Sequence, residues 1–245
     1  MEGARDLAAV QTASLTTRGI PIRLRSAPKS SDYSAEYGQL PRLPDTADEV
    51  RSIAAALRAE ASDVILGAKA SPTTVKQMDL RNRRIVMFAT HGLVPGDLSG
   101  LGQPALALSA PEVTGNPKDG LLTVEDILAL RLNADWVVLS ACNTASAQGA
   151  GAEAVSGLGR AFFYAGTRAL LVSNWPVEST SARELTTDLF RRQVEAAGLT
   201  RAEAMRQAML ALIEGPGLKA ADGKALFSYA HPIFWAPFSL VGDGG

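Results

Sequence analysis

Short apolar runs recur along the chain from residue 84 onward, and they predict β-strands. They are "RIVMFAT" (84–90), "PALALS" (104–109), "DWVVLSAC" (135–142), "RALLVSNW" (168–175) and "FWAPFSLVG" (234–242). The runs are rich in β-branched residues, lack strict alternation with polar residues and are bounded by Gly, Pro, Asn or Asp. That pattern is typical of strands that are buried on both faces of a sheet.

Segments with helical spacing lie before and between these runs. The predicted helices span residues 45–61, 71–80, 123–132, 151–166, 179–198 and 200–215. The apolar face of the first consists of Val50, Ile53, Ala54 and Leu57. Ser71 is predicted to cap the second helix. Strands that alternate with helices predict an α/β fold, with helices on both faces of a central sheet.

The length favours one domain over the whole chain. A chain of 245 residues can bury a substantial core, and we predict a single domain over residues 1–245. Residues 21–44 are rich in Pro and Ser and have no apolar periodicity. This composition predicts a surface loop ahead of the first helix.

The net charge and the cysteine content limit which partners and which cellular compartment we expect. The formal net charge is −1, so we expect neither a nucleic-acid nor a membrane partner. The single cysteine cannot form an internal disulfide, which suits a reducing compartment. No apolar run approaches about 18 residues, and the first residues lack the pattern of a signal peptide. We therefore expect an intracellular, cytoplasmic protein.

Two reactive side chains, His91 and Cys142, lie at the ends of predicted strands. Catalytic groups in α/β sheets gather where strands end and loops begin. A cysteine attacks as the thiolate, and a nearby imidazole can take its proton and later protonate the leaving amine. The backbone N–H groups of Gly92 and Cys142 are candidates for an oxyanion hole. The two side chains are about 50 residues apart, as in caspases.

Each of these residues also has a structural interpretation. A lone cysteine such as Cys142 is often a small buried hydrophobe, and His91 with Gly92 could simply form a turn. For the second histidine, His231, we predict a structural role ahead of the last strand. We expect no cofactor and no metal, because two distant histidines and one cysteine cannot assemble a zinc site. The glycines after His91 also lack the spacing of a phosphate loop.

Three segments, in order, resemble the CHAT domain. "FATHGLVPGDLSGLGQPALALS" is similar to its histidine segment, "LSACNTASAQGAGAEAVSGLGRAFFYAGTRALLVSNWPVESTSARELTTDLF" to its cysteine segment, and "HPIFWAPFSLVGD" to its closing strand. The CHAT domain is a caspase-like module that is often fused to tetratricopeptide repeats, and caspases, metacaspases and separases share its fold. The resemblance covers a core from about residue 40 to residue 243. It implies a mostly parallel central sheet flanked by helices on both faces.

The resemblance implies an intracellular cysteine endopeptidase, with His91 as general acid/base and Cys142 as nucleophile. Its substrate would be a protein or peptide, and we expect regulation by a repeat domain or activator protein absent from this chain. The alternative is a caspase-fold scaffold or interaction module whose dyad is intact but unused. A general α/β hydrolase is disfavoured because no G-x-S-x-G is present.

The chain departs from the family pattern at two places. Ala152 and Ala154 flank Glu153 where many relatives carry Gly-Glu-Gly, and Asn174 stands where close relatives often have Ser or His. Neither departure touches the dyad, but both weaken the transfer of pocket detail from the family.

Two carboxylates are candidates for a substrate pocket that binds a basic side chain. A buried arginine or lysine must be paired with an acidic group. Glu178 lies in the loop that forms one wall of this pocket in the resembling separases, and Asp97 follows the histidine segment from the opposite side. The alternative is that both are solvated loop carboxylates, with Glu178 capping the helix that begins near Ser179.

Overall fold

The computed structural model describes residues 15–17, 20–22, 40, 42–95, 97–98, 101–116, 118–140, 150–175, 177–220 and 222–245. At 15–17, 20–22 and 150–156 it describes the backbone alone. Cys142 and the rest of 141–149 lie outside the described residues, as do 23–39 of the predicted surface loop. The part of that loop that is described contains a short strand and the first residue of a helix.

The described chain contains the following strands and helices, numbered in chain order. The strands are β1 (Leu15–Thr17), β2 (Ile20–Ile22), β3 (Ile85–Phe88), β4 (His91–Leu93), β5 (Ala105–Ala107), β6 (Leu121–Thr123), β7 (Trp136–Leu139), β8 (Ala169–Ser173), β9 (Leu218–Lys219), β10 (Ala225–Phe227) and β11 (Phe238–Gly242). The helices are α1 (Pro44–Ala56), α2 (Pro72–Gln77), α3 (Pro111–Thr114), α4 (Val124–Ala129), α5 (Ala150–Ala165), α6 (Ser179–Glu195) and α7 (Arg201–Glu214). Among the described residues, no helix is both long enough and apolar enough to cross a membrane.

The central sheet has the strand order β11-β8-β7-β3. β3, β7 and β8 run parallel, and β11 closes one side antiparallel to β8. Helices separate the parallel strands along the chain, as such crossovers require. The predicted α/β fold, with a mostly parallel central sheet of the caspase-like kind, is confirmed.

Successive residues of the central strands face two different helical layers. In β7, Trp136 and Val138 pack with side chains of α1, α6 and α7. Val137 and Leu139 point to the opposite face and pack with α4 and α5. Side chains on a strand alternate between its two faces, so a strand covered on both sides needs apolar residues at every position. This explains why the apolar runs in the sequence lack alternation.

A second, smaller sheet has the order β4-β5-β6 and is antiparallel throughout. It contains β5, which belongs to the "PALALS" run that we predicted alongside the strands of the central sheet. β5 pairs antiparallel with β4 and β6, which precede and follow it along the chain. The run is buried as predicted, but its partners lie in the smaller sheet.

The buried face of the first helix only partly overlaps the face that the apolar residues predict, since Ile53 belongs to both. α1 begins at Pro44 and ends at Ala56, and its buried residues are Thr46, Glu49 and Ile53. Val50 is only half-buried. The predicted cap of the second helix is confirmed, since the Ser71 hydroxyl accepts a hydrogen bond from the N–H of Thr74.

Candidate active site

The C-terminal ends of β3, β7 and β8 form one rim, which we call the C-terminal rim. Phe88 at the end of β3 is the register partner of Leu139 at the end of β7, and Leu139 is the partner of Val172. His91 follows Phe88 by three residues, and Cys142 follows Leu139 by three residues. Two neighbouring parallel strands therefore end level with each other, and each end lies three residues before one member of the predicted dyad in the sequence.

His91 opens β4 and is buried, with 5% of its surface exposed. It is the register partner of Ala107 in β5, and Gly92 is the partner of Leu106. The hydroxyl of Thr90 donates a hydrogen bond to the carbonyl of Ala107, which ties the chain to the small sheet just before the histidine. His91 and Gly92 thus lie in a strand rather than in a turn. The small sheet thus fixes the backbone of His91 just after the end of β3.

Asp97 closes the turn that follows β4. Its carboxylate accepts a hydrogen bond of 2.7 Å from the N–H of Val94, and its own N–H donates to the Val94 carbonyl at 3.0 Å. Burial raises the pKa of Asp97, and the Val94 N–H offsets part of this effect. The carboxylate is half-buried, and its place in the substrate pocket stays a prediction.

Glu178 is buried and caps the N-terminus of α6. Its two carboxylate oxygens accept hydrogen bonds from the N–H groups of Thr180, at 3.0 Å, and Ser181, at 2.7 Å. These N–H groups have no partner within the helix. The structure therefore has Glu178 in the capping role that the sequence offered as the alternative, and its role in a substrate pocket stays a prediction.

Two further ionisable side chains lie close enough to Glu178 to be affected by its charge. Burial raises the pKa of Glu184, and the negative charge of Glu178 adds to the effect. Burial is also the main cause that raises the pKa of Tyr229, followed by the charges of Glu178 and Glu184. Sequence reasoning missed both residues, because Glu184 stands in the middle of a helix and Tyr229 comes from a distant loop. The positive charge of Arg183 opposes both shifts.

Glu49 is the other rim residue that sequence reasoning missed. It belongs to α1, has 0% of its surface exposed, and both of its oxygens lie 3.0 Å from the Ser140 hydroxyl. The hydroxyl of Thr186 in α6 lies 3.3 Å from one of them. The spacing of Glu49 to Thr46 and Ile53 on one helix face could have revealed its burial.

Asn174 and His231 have structural roles on the β11 side. The amide of Asn174 donates to the Pro237 carbonyl at 2.9 Å and to the Ser239 hydroxyl at 2.6 Å, which joins the end of β8 to the start of β11. The ring of His231 accepts a hydrogen bond from the N–H of Ile233 at 3.2 Å. This agrees with the structural role predicted for His231. Within the described ranges, no group of three or more His, Cys, Asp or Glu residues is arranged to hold a metal ion.

Comparison with known proteins assigns the chain to a family. The family profile of the CHAT domain matches residues 2–243. Tetratricopeptide repeat protein 28 from Mus musculus is 32% identical over 123 residues, which are 50% of this chain and 4% of that protein. The protein of the same name from Homo sapiens matches with the same identity and coverage. The match thus spans a very small part of the curated relatives. The CHAT domain is a caspase-like, peptidase-related module, and because its profile covers nearly the whole sequence, this chain belongs to the CHAT domain family.

Proposed function

We propose that this domain is a cysteine endopeptidase that uses His91 and Cys142 as a catalytic dyad. One observation carries the proposal: the parallel pairing of β3 and β7, in which Phe88 is level with Leu139. Adjacent strands lie about 4.8 Å apart. We infer that the two residues that each follow these partners by three positions, His91 and Cys142, come within reach of each other.

The proposed reaction follows the chemistry of a thiolate and an imidazole. The imidazole of His91 takes the thiol proton, and the Cys142 thiolate attacks the carbonyl carbon of the scissile peptide bond. N–H groups of Gly92 and Cys142 stabilise the oxyanion. His91 returns the proton to the leaving amine, which leaves a thioester. A water molecule, deprotonated by His91, then hydrolyses the thioester and restores the thiol.

We further propose that the substrate carries Arg or Lys before the scissile bond. Glu178 and Glu184 support this preference, because the charge of Glu178 raises the pKa of Glu184, and a cationic side chain near both carboxyl groups would favour their ionised forms. Asp97 is the candidate on the histidine side. Glu178→Gln is the sharper test, since an amide oxygen can still cap α6 while the charge is lost. We expect kcat/KM to fall for basic peptides and to stay unchanged for apolar ones.

The relatives support a proposal about regulation. Their printed name refers to tetratricopeptide repeats, and helical repeats of this kind stack into extended binding surfaces. We propose that a repeat region or an activator protein controls the domain and delivers its protein substrate. The lone cysteine suits a reducing, cytoplasmic environment, where a catalytic thiol stays reduced.

A scaffold function remains the second candidate, and the burial of His91 favours it. A general base must reach the proton that it abstracts, and only 5% of the His91 surface is exposed. A scaffold would keep the fold and its binding surfaces but would leave the dyad unused.

A peptide library separates the two functions. The protein is incubated with a library of peptides that vary at the residue before the scissile bond, and cleavage is followed by mass spectrometry. An endopeptidase cuts a defined subset of peptides, and Cys142→Ala abolishes that cleavage. Absence of cleavage by the wild-type protein, with and without added repeat protein, would favour the scaffold.

A further inference from the structure

A buried carboxyl group connects the two helices of one layer to the end of a central strand. The Ser140 hydroxyl donates to Glu49 of α1 and lies 3.0 Å from both carboxylate oxygens. The Thr186 hydroxyl of α6 lies 3.3 Å from one of these oxygens. Each of the three residues is at most 3% exposed. A carboxyl group so far from water is costly unless polar partners surround it. The three side chains are therefore expected to hold one another in a fixed arrangement.

The cluster lies at the exit of β7. Ser140 is the first residue after Leu139, and its side chain faces the same layer as Val138, because side chains alternate along a strand. Glu49 and Thr186 reach it from α1 and α6, which pack against that layer. The cluster thus fixes the position of the chain as it leaves the sheet.

We propose that Glu49 is a positioning residue for the candidate nucleophile. Cys142 is two residues beyond Ser140, and two residues span at most about 7 Å. By holding Ser140, Glu49 fixes the last described position of the chain before the candidate nucleophile. Glu49 contacts neither substrate nor thiol in this proposal and acts through Ser140. The inference deepens the proposed peptidase function and rests on it.

The thiol itself provides the measurement, because Cys142 is the only cysteine in the chain. The rate of alkylation by iodoacetamide, measured across pH, reports the reactivity of this one residue without any substrate. The variants are Ser140→Ala, Glu49→Ala and Glu49→Gln. The matched control is Asp48→Asn, which removes a carboxylate from the exposed face of the same helix. Thermal unfolding of each variant shows whether the domain remains folded.

We expect Ser140→Ala and Glu49→Ala to move the alkylation profile toward that of a free cysteine, with its pKa of about 8.5. On a peptide that the wild type cuts, kcat should fall about tenfold while KM is unchanged, since small displacements of a reacting group cost up to about a hundredfold. Glu49→Gln should restore most of the wild-type behaviour, because its amide oxygen still accepts from Ser140 and its NH2 group can donate to Thr186. Asp48→Asn should match the wild type.

Two outcomes would overturn the inference. One is a wild-type alkylation profile in Ser140→Ala, which decides the matter even if Glu49→Ala does not fold. The other is a Glu49→Gln profile that matches Glu49→Ala, because the hydrogen bond to Ser140 would then not be the cause. If the alkylation profiles shift as expected while no peptide is cut by the wild type, the positioning role stands and the peptidase proposal fails.

Discussion

The two ends of the central strands carry polar groups of different kinds. At the N-terminal ends, which we call the arginine rim, Asp135 pairs with Arg84 at 2.6 Å, Arg168 at 3.3 Å and Arg201 at 3.5 Å. The guanidinium of Arg201 also lies 5.9 Å from the centre of the Trp136 ring. Arg84 and Arg168 are largely exposed to water. The arginine rim is therefore a network of charged pairs in which Arg84 and Arg168 reach the surface and Asp135 and Arg201 are half-buried.

Near the C-terminal rim, two buried carboxylates contact uncharged groups among the described residues. Glu49 meets hydroxyl groups, and Glu178 meets backbone N–H groups. Surface ion pairs contribute little to stability, whereas each buried polar group must be matched by a partner. A fold needs neither Glu49 nor His91 in these buried positions for its core. A functional site at the C-terminal rim would account for the burial of Glu49 and His91 there.

Carboxyl pKa values shift in opposite directions near the two rims. The hydrogen bond from Arg206 lowers the pKa of Glu203, which lies in α7 two residues after Arg201. Near the C-terminal rim, burial raises the pKa values of Asp97 and Glu184. The hydrogen bond from Arg206 therefore favours the ionised form of Glu203, whereas burial disfavours the ionised forms of Asp97 and Glu184.

The largest expected effect contrasts one substitution at each rim. We expect His91→Ala to lower kcat/KM by about a hundredfold to ten-thousandfold, the range in which a positioned acid/base contributes. Cys142→Ala should abolish cleavage, and Asp135→Asn at the arginine rim should leave kcat/KM unchanged. Peptide hydrolysis measures the rates, and circular dichroism checks that each variant is folded. Equal losses of kcat/KM in His91→Ala and Asp135→Asn would show that the two rims do not differ in function.

The next effect compares a buried helix cap with an exposed one. Glu178→Ala removes the acceptor of two N–H groups at the start of α6, so we expect a loss of about 1–2 kcal/mol in unfolding free energy. Thr200 caps α7 at the arginine rim, where its hydroxyl accepts one N–H, from Glu203 at 3.2 Å. Because Thr200 is exposed, water can replace it, and Thr200→Ala should cost about 0.5–1 kcal/mol.

Urea unfolding measures both variants against the wild type. Glu178→Gln serves as a control, since it keeps an acceptor oxygen and should retain most of the stability. A Glu178→Ala variant as stable as the wild type would show that the carboxylate is not needed at the cap.

The central strands could be predicted from sequence because burial on both faces leaves a local trace. Residues 136–139 and 169–172 are apolar at every position, and this requirement holds whichever strand lies next to them. The residues of a strand do not show to which sheet the strand belongs. β5 was predicted together with the central strands, because its three residues do not specify their partners. β4 was not predicted at all, since His91 and Gly92 have little intrinsic preference for a strand.

The candidate site could be predicted only in part, for a similar reason. The chemistry of His91 and Cys142 is visible in their residue types and positions. The partners of Glu49 are separated from it by long stretches of chain, and an acidic residue counts as solvent-facing in a pattern of apolar positions. The capping role of Glu178, unlike the contacts of Glu49, could be predicted. Its cap is a local feature, and sequence reasoning offered it as one of two roles.

A smaller change in stability is expected if the ion pairs of the arginine rim act as a network. Asp135→Asn leaves three arginines without their shared carboxylate, so we expect a loss of about 1 kcal/mol at low salt. The difference should shrink at high salt, since screening weakens interactions between exposed charges. Asp63→Asn is the matched control, because Asp63 pairs with a single arginine, Arg83, at 2.8 Å. Urea unfolding at both salt concentrations gives the comparison, and equal effects of the two variants would argue against a network.

The smallest effect concerns acid titration in α7. Glu203 accepts hydrogen bonds from Arg206 at 2.7 and 2.8 Å and from Gln207 at 2.8 Å. These bonds lower its pKa from 4.5 to about 2, with Arg206 as the largest cause. A carboxyl group with a lowered pKa in the folded state stabilises the fold above its unfolded pKa. That stabilisation is lost as pH falls from about 4.5 toward about 2.

Arg206→Gln should therefore raise the pKa of Glu203 toward its ordinary value and remove its share of this acid-dependent stability. Carbon NMR of the side-chain carboxyl group follows the titration directly. Arg81→Gln is the control, because Arg81 lowers the pKa of Asp79 to about 2 in the same way at another exposed site. It should shift Asp79 and leave Glu203 unchanged. If Glu203 kept a pKa of about 2 without Arg206, its value would have to come from Gln207 and the start of α7.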